Sequence, residues 1–221
     1  GSFIVSDILK HTLKGIHKVD SFIIDAHKML FIPGTCTLLF YKNKAKAHGA
    51  FQQKASYVFE ENPDIYTKLD SAAHNFECTK RPMIMNLWVP WAIYGRDLFS
   101  NKLEYLCLLT LQAFEIIDQH DNFEAHHLPE ANILCFSYVP KNIEKHKNLD
   151  LQLAIRNKIK AEGKFFISKV ELKGNTVLRI VFMNHKIDMS HFVDLLNEIE
   201  KVGQSILKND MIALPKERLF E

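Results

Sequence analysis

Long apolar runs are missing from this 221-residue chain, whose apolar stretches all fall far short of the roughly 18–20 residues a membrane span requires. A membrane-spanning helix is therefore not expected. An excess of charge of one sign is also missing: Lys+Arg 28 against Asp+Glu 26 leaves a net charge of +2. No basic stripe with interleaved aromatics stands out, which argues against nucleic acid as a partner. Cysteine is sparse. Cys36, Cys78, Cys107 and Cys135 lie far apart with no Cys-x-x-Cys pair, and three of them sit among apolar neighbours. Buried, reduced thiols in a cytoplasmic protein fit this spacing better than a disulfide framework or a zinc site. The 11 histidines do not point to metal either. His126 and His127 are adjacent, so on regular structure their side chains diverge, and no helix-spaced partner accompanies them. The expectation is no metal. Gly1 to Asp7 has no basic stretch of the kind that opens a signal peptide, and no internal repeat or low-complexity tract appears.

What the chain does have is a composition that supports a core: 47% hydrophobic and 24% charged residues, with length for one large domain or two smaller ones. Asp7, Ile8-Leu9 and Leu13-Gly15-Ile16 read as a short capped helix ended near Gly15. Ser21–Ile24 and Thr37–Tyr41 read as two short buried strands. The stretch from Lys42 to about Pro63 is polar, lacks a sustained period, and reads as a long mobile loop. Helical spacing begins after Pro82 through Met83, Leu87 and Trp91, and breaks near Gly95. It resumes from about Asp97 to Gln119 with Leu103, Leu106, Leu109, Leu111 and Phe114 on the apolar side. Trp88 and Trp91, three apart, are expected in the core. Strands follow at Ile133–Tyr138, Phe165–Leu172 and Val177–Met183, the last two joined by a Lys173-Gly174-Asn175 turn. Leu149–Ala161 reads as an amphipathic helix ending at Gly163. Asp188–Leu207 reads as another, with Ser190 as cap, Phe192, Leu195, Leu196 and Ile199 inward, and Glu198 and Lys201 outward. The pattern is α/β in the first quarter and α+β afterwards.

One segment carries chemistry. Val19 to Leu30 is a strand-forming run ending at Asp25-Ala26-His27-Lys28-Met29-Leu30, followed by Pro33-Gly34-Thr35-Cys36-Thr37. Such an arrangement holds an amine at the mouth of a sheet, where it can form an imine with a carbonyl cofactor. The His-Lys pair alone is uninformative, since it recurs at His17-Lys18, His146-Lys147 and His185-Lys186 without that setting.

This segment resembles the cofactor-lysine motif of the pyridoxal-phosphate-dependent amino acid decarboxylases, the group acting on glutamate, diaminobutyrate and aromatic amino acids. The pattern there is a strand, Asn or Asp, usually Pro, then His-Lys, a hydrophobic residue, a turn, and a strand containing Cys-Ser/Thr. Here Ala26 stands where proline is usual, a change that bears on turn rigidity more than on chemistry. Further matches follow in order: Tyr57 in the polar stretch, Cys78-Thr79-Lys80-Arg81-Pro82 leading to Leu87-Trp88, Leu178-Arg179-Ile180-Val181-Phe182-Met183-Asn184, and the closing helix around Leu195 to Gln204.

The resemblance implies an α/β chain forming the C-terminal part of a type I aminotransferase-like fold. Residues 1–79 would belong to the large cofactor-binding domain and residues 80–221 to a small α+β domain. It implies pyridoxal 5′-phosphate as cofactor, Lys28 forming the internal imine, His27 against the cofactor phosphate and Asp25 positioning the turn. Tyr57 would be the general acid that returns a proton to Cα, and Arg179 the clamp on the substrate carboxylate. The resemblance further implies a lowered pKa for a buried Lys28 among cationic groups, and a homodimeric, cytoplasmic lyase of amino acid (carboxylic acid) metabolism with shared active sites. Cys36 and Thr37 are expected to serve packing and backbone positioning, and Lys80-Arg81 either a solvated helix start or a dimer contact. The departure is length. Family chains are much longer, and the aspartate on the pyridine nitrogen, the ring-stacking histidine and the phosphate-holding small residues lie upstream of the matching region. Gly1-Ser2-Phe3 resembles the stretch just after that aspartate. Two alternatives stay open: another lyase or an aminotransferase using the same lysine, and a truncated, non-catalytic relative that only dimerises.

Overall fold

The computed structural model describes residues 1–43, 77, 80–141 and 147–213. Two compact units divide the chain, Gly1–Leu103 and Glu104–Glu221, with the dividing point inside a long helix.

The first unit opens with three 3-10 turns, Ser2–Val5, Lys10–Leu13 and Ile16–Lys18, where one helix was expected. The cap also differs. Ser6 Oγ accepts the Leu9 N–H at 3.0 Å, whereas Asp7 pairs outward with Lys10 and Arg96. A capping side chain three residues before its amide partner suits a single tight turn, and the segment buries too little apolar surface to extend into an α-helix. Gly15 does end the run, at φ 99°, in the left-handed region that glycine enters at little cost.

Strand β1 (Ser21–Asp25) pairs antiparallel with β2 (Thr37–Tyr41), matching the expected strands within one residue. The register sets Asp25 opposite Thr37 and Ser21 opposite Tyr41. Between them lie the single-turn helix α1 (Ala26–Met29) and the Pro33-Gly34 turn. These strands are not fully buried, contrary to expectation: Ile23 is 54% exposed, and Leu39 and Phe40 also face outward. A two-stranded sheet has one face to bury, and here it buries the side carrying Ile24. That side joins Ala26, Leu30, Ile32 and Cys36 in a core with Leu87, Phe99 and Leu103 of helix α2 (Met85–Asp118). Gly34, at φ 79°, lies where an added Cβ would come within 2.6 Å of Met83 Cε, so turn and helix approach closely. Asn86 Nδ2 completes that junction by donating to the Pro33 carbonyl at 2.9 Å.

Helix α2 is broken at Gly95 (φ 68°, ψ −170°), as the spacing predicted. Trp88 and Trp91 are not core residues: Trp88 is 59% exposed, and Trp91 stays at the surface while stacking on Phe99 at 5.2 Å. Before the break Leu87 is the one buried residue of the helix, so both tryptophans fall outside the buried stripe. After the break, the buried positions are Phe99, Ser100, Leu103, Leu106, Cys107, Leu109, Thr110, Ala113 and Ile117. Leu111 falls off that stripe and is exposed.

The second unit holds a four-stranded antiparallel sheet in the order β3-β4-β6-β5. Its strands are β3 (Phe123–Ala125), which the sequence did not signal, β4 (Ile133–Tyr138), β5 (Ser168–Leu172) and β6 (Asn175–Val181). A three-residue strand is too short to display a period. β5 and β6 meet in a two-residue turn with Lys173 at φ 52° and Gly174 at φ 80°, so Asn175 already belongs to the strand. β4 is buried from Leu134 to Tyr138, which requires cover on both faces because neighbouring side chains point oppositely. Gln152 of helix α3 (Lys147–Glu162) satisfies both the N–H and the C=O of Tyr138.

Helix α4 (Met189–Ala213) buries Phe192, Leu195, Leu196 and Ile199 as expected. Its cap is Asp188 rather than Ser190. Asp188 Oδ1 accepts from the Ser190 N–H at 3.0 Å and the Ser190 hydroxyl at 2.6 Å, and His191 Nδ1 lies 2.9 Å away. The Ser190 and His191 contacts hold the Asp188 carboxyl at about 2, below its ordinary 3.8. With the folded value depressed, the cap's contribution is full above the ordinary value and fades as pH falls toward 2. Glu198 does not face outward: it is buried, held by Lys164 and, at 3.5 Å, by Lys201. The Lys164 bond, then charge, keeps its carboxyl ionised below the usual range.

Gly203 is the closely packed glycine of this unit's described residues, since a Cβ there would come within 2.5 Å of Tyr138 Cε1. Tyr138 is fully buried and cannot yield. Gly203→Ala is expected to cost about 2 kcal/mol in overpacking against about 1 kcal/mol regained in helix propensity. The result is a thermal midpoint a few degrees lower by calorimetry; an unchanged midpoint would mean that β4 and α4 separate easily.

Candidate active site

The Lys28 segment is built by the end of β1 and the start of β2. Its backbone is tied across the hairpin: the Ala26 and His27 amides both donate to the Cys36 carbonyl, at 2.8 and 3.3 Å, and the Ile32 amide donates to the Ala26 carbonyl at 3.1 Å. Phe31 occupies a left-handed conformation at φ 58°, uncommon for an aromatic residue, and its ring receives the Lys102 ammonium 5.6 Å from the centroid. Burial of Ala26, Leu30 and Ile32 fixes the apolar side of the turn and leaves Asp25, His27 and Lys28 on the other.

These three side chains are brought together. Lys28 Nζ lies 2.8 Å from Asp25 Oδ2, and Asp25 Oδ1 accepts the Thr37 hydroxyl at 2.6 Å. The bonds from Lys28 and then Thr37 draw the Asp25 carboxyl below its usual range. His27 Nδ1 lies 3.1 Å from the Cys36 amide and 3.0 Å from the Cys36 carbonyl. That carbonyl already receives two backbone amides, whereas the buried Cys36 amide has this ring nitrogen as its acceptor. Nδ1 is therefore the acceptor, and the proton of the neutral ring sits on Nε2, which is left to donate to an anion. Burial pushes the Cys36 thiol upward, away from the reactive thiolate, in line with the packing role expected of it.

One expectation fails here. The Lys28 side chain is 59% exposed and its charged neighbour at contact distance is the Asp25 carboxylate, not a set of cations. Among the described residues, nothing covers this side chain at the end of the two-stranded hairpin. Thr37 also departs from expectation, because it acts through its hydroxyl and not only through backbone position. The signal was Asp25↔Thr37 pairing, which cannot be counted from sequence across an irregular connection.

Arg179 belongs to the second unit. It sits mid-β6 opposite Cys135 of β4 and Ser168 of β5, half-buried, and among the described residues no carboxylate pairs with its guanidinium. Its backbone carbonyl accepts the Ser168 hydroxyl at 2.7 Å. Tyr57 lies outside the described residues, as does the polar stretch from Lys42 to about Pro63 expected to form a mobile loop, apart from Lys42 and Asn43 themselves. Lys80 and Arg81 are exposed ahead of α2, with Lys80 3.8 Å from Glu77. His126 and His127 are used structurally: His126 Nε2 meets the Ser137 hydroxyl at 2.8 Å, and His127 Nε2 accepts the Cys135 amide at 3.2 Å.

The pyridoxal-dependent decarboxylase conserved domain matches residues 1–139 of this chain. The chain belongs to that family. Among its relatives, the acidic amino acid decarboxylase GADL1 of Mus musculus is 24% identical over 216 residues, covering 93% of this chain and 39% of the relative. Cysteine sulfinic acid decarboxylase of Homo sapiens is 25% identical over 220 residues, covering 93% and 44%. The crystal structure of mouse CSAD superposes with a TM-score of 0.80 at 21% identity, over 91% of this chain and 44% of that one. The chain thus spans about two-fifths of the length of the relatives it matches. Its fold is the expected partial, C-terminal region of the type I fold, mixed α/β.

The family's cofactor is pyridoxal 5′-phosphate. The residues present suit its attachment: a solvent-reachable primary amine at a strand end, beside an imidazole that offers Nε2–H to an anion. Lys28 and His27 would hold it. No helix among the described residues is long and apolar enough to cross a membrane.

Proposed function

We propose that the whole protein decarboxylates an L-amino acid to the corresponding amine and carbon dioxide, with Lys28 as the covalent attachment point of the cofactor. The observation that carries this reading is the Asp25–Lys28 pair at the end of β1, 2.8 Å apart and anchored across the hairpin by Thr37. Bound pyridoxal phosphate supplies the electron acceptor that lets the bond between Cα and the carboxylate break. The chain's own groups do the rest. The Lys28 amine holds the cofactor and gives way to the substrate amine. His27 donates Nε2–H to an anionic group. Arg179 presents a planar fork to the substrate carboxylate, and its lack of a carboxylate partner among the described residues supports that task. Tyr57 holds the proton that is delivered to Cα. A homodimer with shared sites, a cofactor-domain boundary after residue 79 and a cytoplasmic setting complete the reading. Free thiols at Cys36, Cys107 and Cys135 support that setting.

The rival reading is a non-catalytic relative that only dimerises. Borohydride reduction of the protein incubated with pyridoxal phosphate, followed by peptide mapping, separates the two. Labelling at Lys28 is expected, and labelling only elsewhere would sink the decarboxylase reading. In the full-length protein, Tyr57→Phe is expected to keep that label while slowing amine formation and shifting the product mixture. A rate and product mixture identical to the wild type would remove Tyr57 from the reaction.

A further inference from the structure

We propose that Thr37 is a positioning residue for Lys28: its hydroxyl fixes one oxygen of Asp25 so that the other oxygen holds the lysine amine where the cofactor is received. The inference rests on the reading of Lys28 as attachment point and adds a residue to it. Three observations combine. The Thr37 hydroxyl reaches Asp25 Oδ1 at 2.6 Å, and Asp25 Oδ2 reaches Lys28 Nζ at 2.8 Å, so one carboxylate bridges the two strands of the hairpin. Asp25 and Thr37 are register partners, so β-ladder pairing sets their separation with no dependence on the turn between them. A long lysine side chain that is 59% exposed would otherwise sample many rotamers, and immobilising it costs conformational entropy. A carboxylate already fixed by a hydroxyl reduces the share of that cost met on attachment.

The arrangement also divides the work between Cys36 and the first residue of β2. The Cys36 amide orients the His27 ring through Nδ1, and the next residue orients Lys28 through Asp25. The first two residues in from the turn thus each set one polar side chain of the lysine segment.

The charged and titratable side chains that act on Asp25 among the described residues are the Lys28 ammonium and the His27 ring. Thr37 adds a neutral hydrogen bond, so its removal changes geometry without changing net charge. It is exposed, and valine keeps its shape and strand preference, so Thr37→Val is expected to fold.

The test compares wild type, Thr37→Val and Thr37→Ser in the full-length protein. Pyridoxal phosphate is added, samples are reduced with borohydride over time, and labelling is quantified peptide by peptide with Lys169 as internal reference. Thr37→Val is expected to slow labelling of Lys28 about threefold to tenfold with Lys169 unchanged, and Thr37→Ser to restore the wild-type rate. In parallel, a carbon-13 titration of the Asp25 carboxyl is expected to move upward toward the ordinary range in Thr37→Val and to stay low in Thr37→Ser. Equal Lys28 rates in all three proteins would overturn the proposal, as would equal slowing by valine and serine. If Lys28 is not labelled even in the wild type, attachment at Lys28 fails and this proposal falls with it. The titration then still reports whether Thr37 holds Asp25, which separates the two failures.

Discussion

Lys28→Ala abolishes the borohydride-stable cofactor adduct at position 28 and lowers amine formation by about a thousandfold or more. The magnitude follows from the loss of a cofactor held in place covalently, since well-oriented attachment is worth effective molarities of 10⁵ M and above. A second, independent sign accompanies it. Lys28 is the largest cause of the lowered Asp25 carboxyl, so its removal raises that carboxyl toward the ordinary range while Thr37 keeps part of the depression. Stability changes little: the lost ion pair is more than half exposed on the lysine side, and such pairs contribute little in water. Absorbance, mass mapping and a melting curve therefore give three different answers from one variant. A folded Lys28→Ala protein that still formed a single specific adduct and turned over normally would place the attachment point elsewhere.

Arg179→Met carries the second large effect, expected as a fall of about a hundredfold in kcat/KM for the amino acid. Charge-assisted bonds to a carboxylate are worth about 1.5–3 kcal/mol, and the upper end of that range corresponds to the hundredfold loss. Methionine keeps the apolar stem beside Cys135 and Ser168, so β6 stays paired with both neighbours. Arg179→Lys is expected to recover only part of the loss, because a point charge replaces a planar fork. Cofactor labelling at Lys28 should remain at the wild-type level in both variants, which separates substrate binding from cofactor attachment. Unchanged kcat/KM in Arg179→Met would assign Arg179 a structural role in the sheet.

Much of the architecture was legible because local periods and turn chemistry come from backbone geometry. Thr37–Tyr41 and Ile133–Tyr138 are strands where the sequence put them, Gly95 breaks the helix it interrupts, and Gly15 and Gly163 stop the runs they follow. The Lys28 segment was legible too, as a motif whose family is the one the chain belongs to. What a period cannot carry is which neighbour covers a side chain. Trp88 and Leu111 have the hydrophobicity of core residues and stand exposed, while Glu198 has the charge of a surface residue and is buried between lysines.

The same division runs through the site. The order of Asp25, His27 and Lys28 along the chain, their place at a strand end and the turn that follows are local properties, encoded in consecutive residues. The links from Thr37 to Asp25 and from the Cys36 amide to His27 exist only after β2 has folded back on β1 in one register. That register is set by burying Ile24, Ala26, Leu30 and Ile32 against α2, a packing decision made with residues some sixty positions away, among them Leu87 and Phe99. Local sequence names the reactive amine; long-range packing aims it.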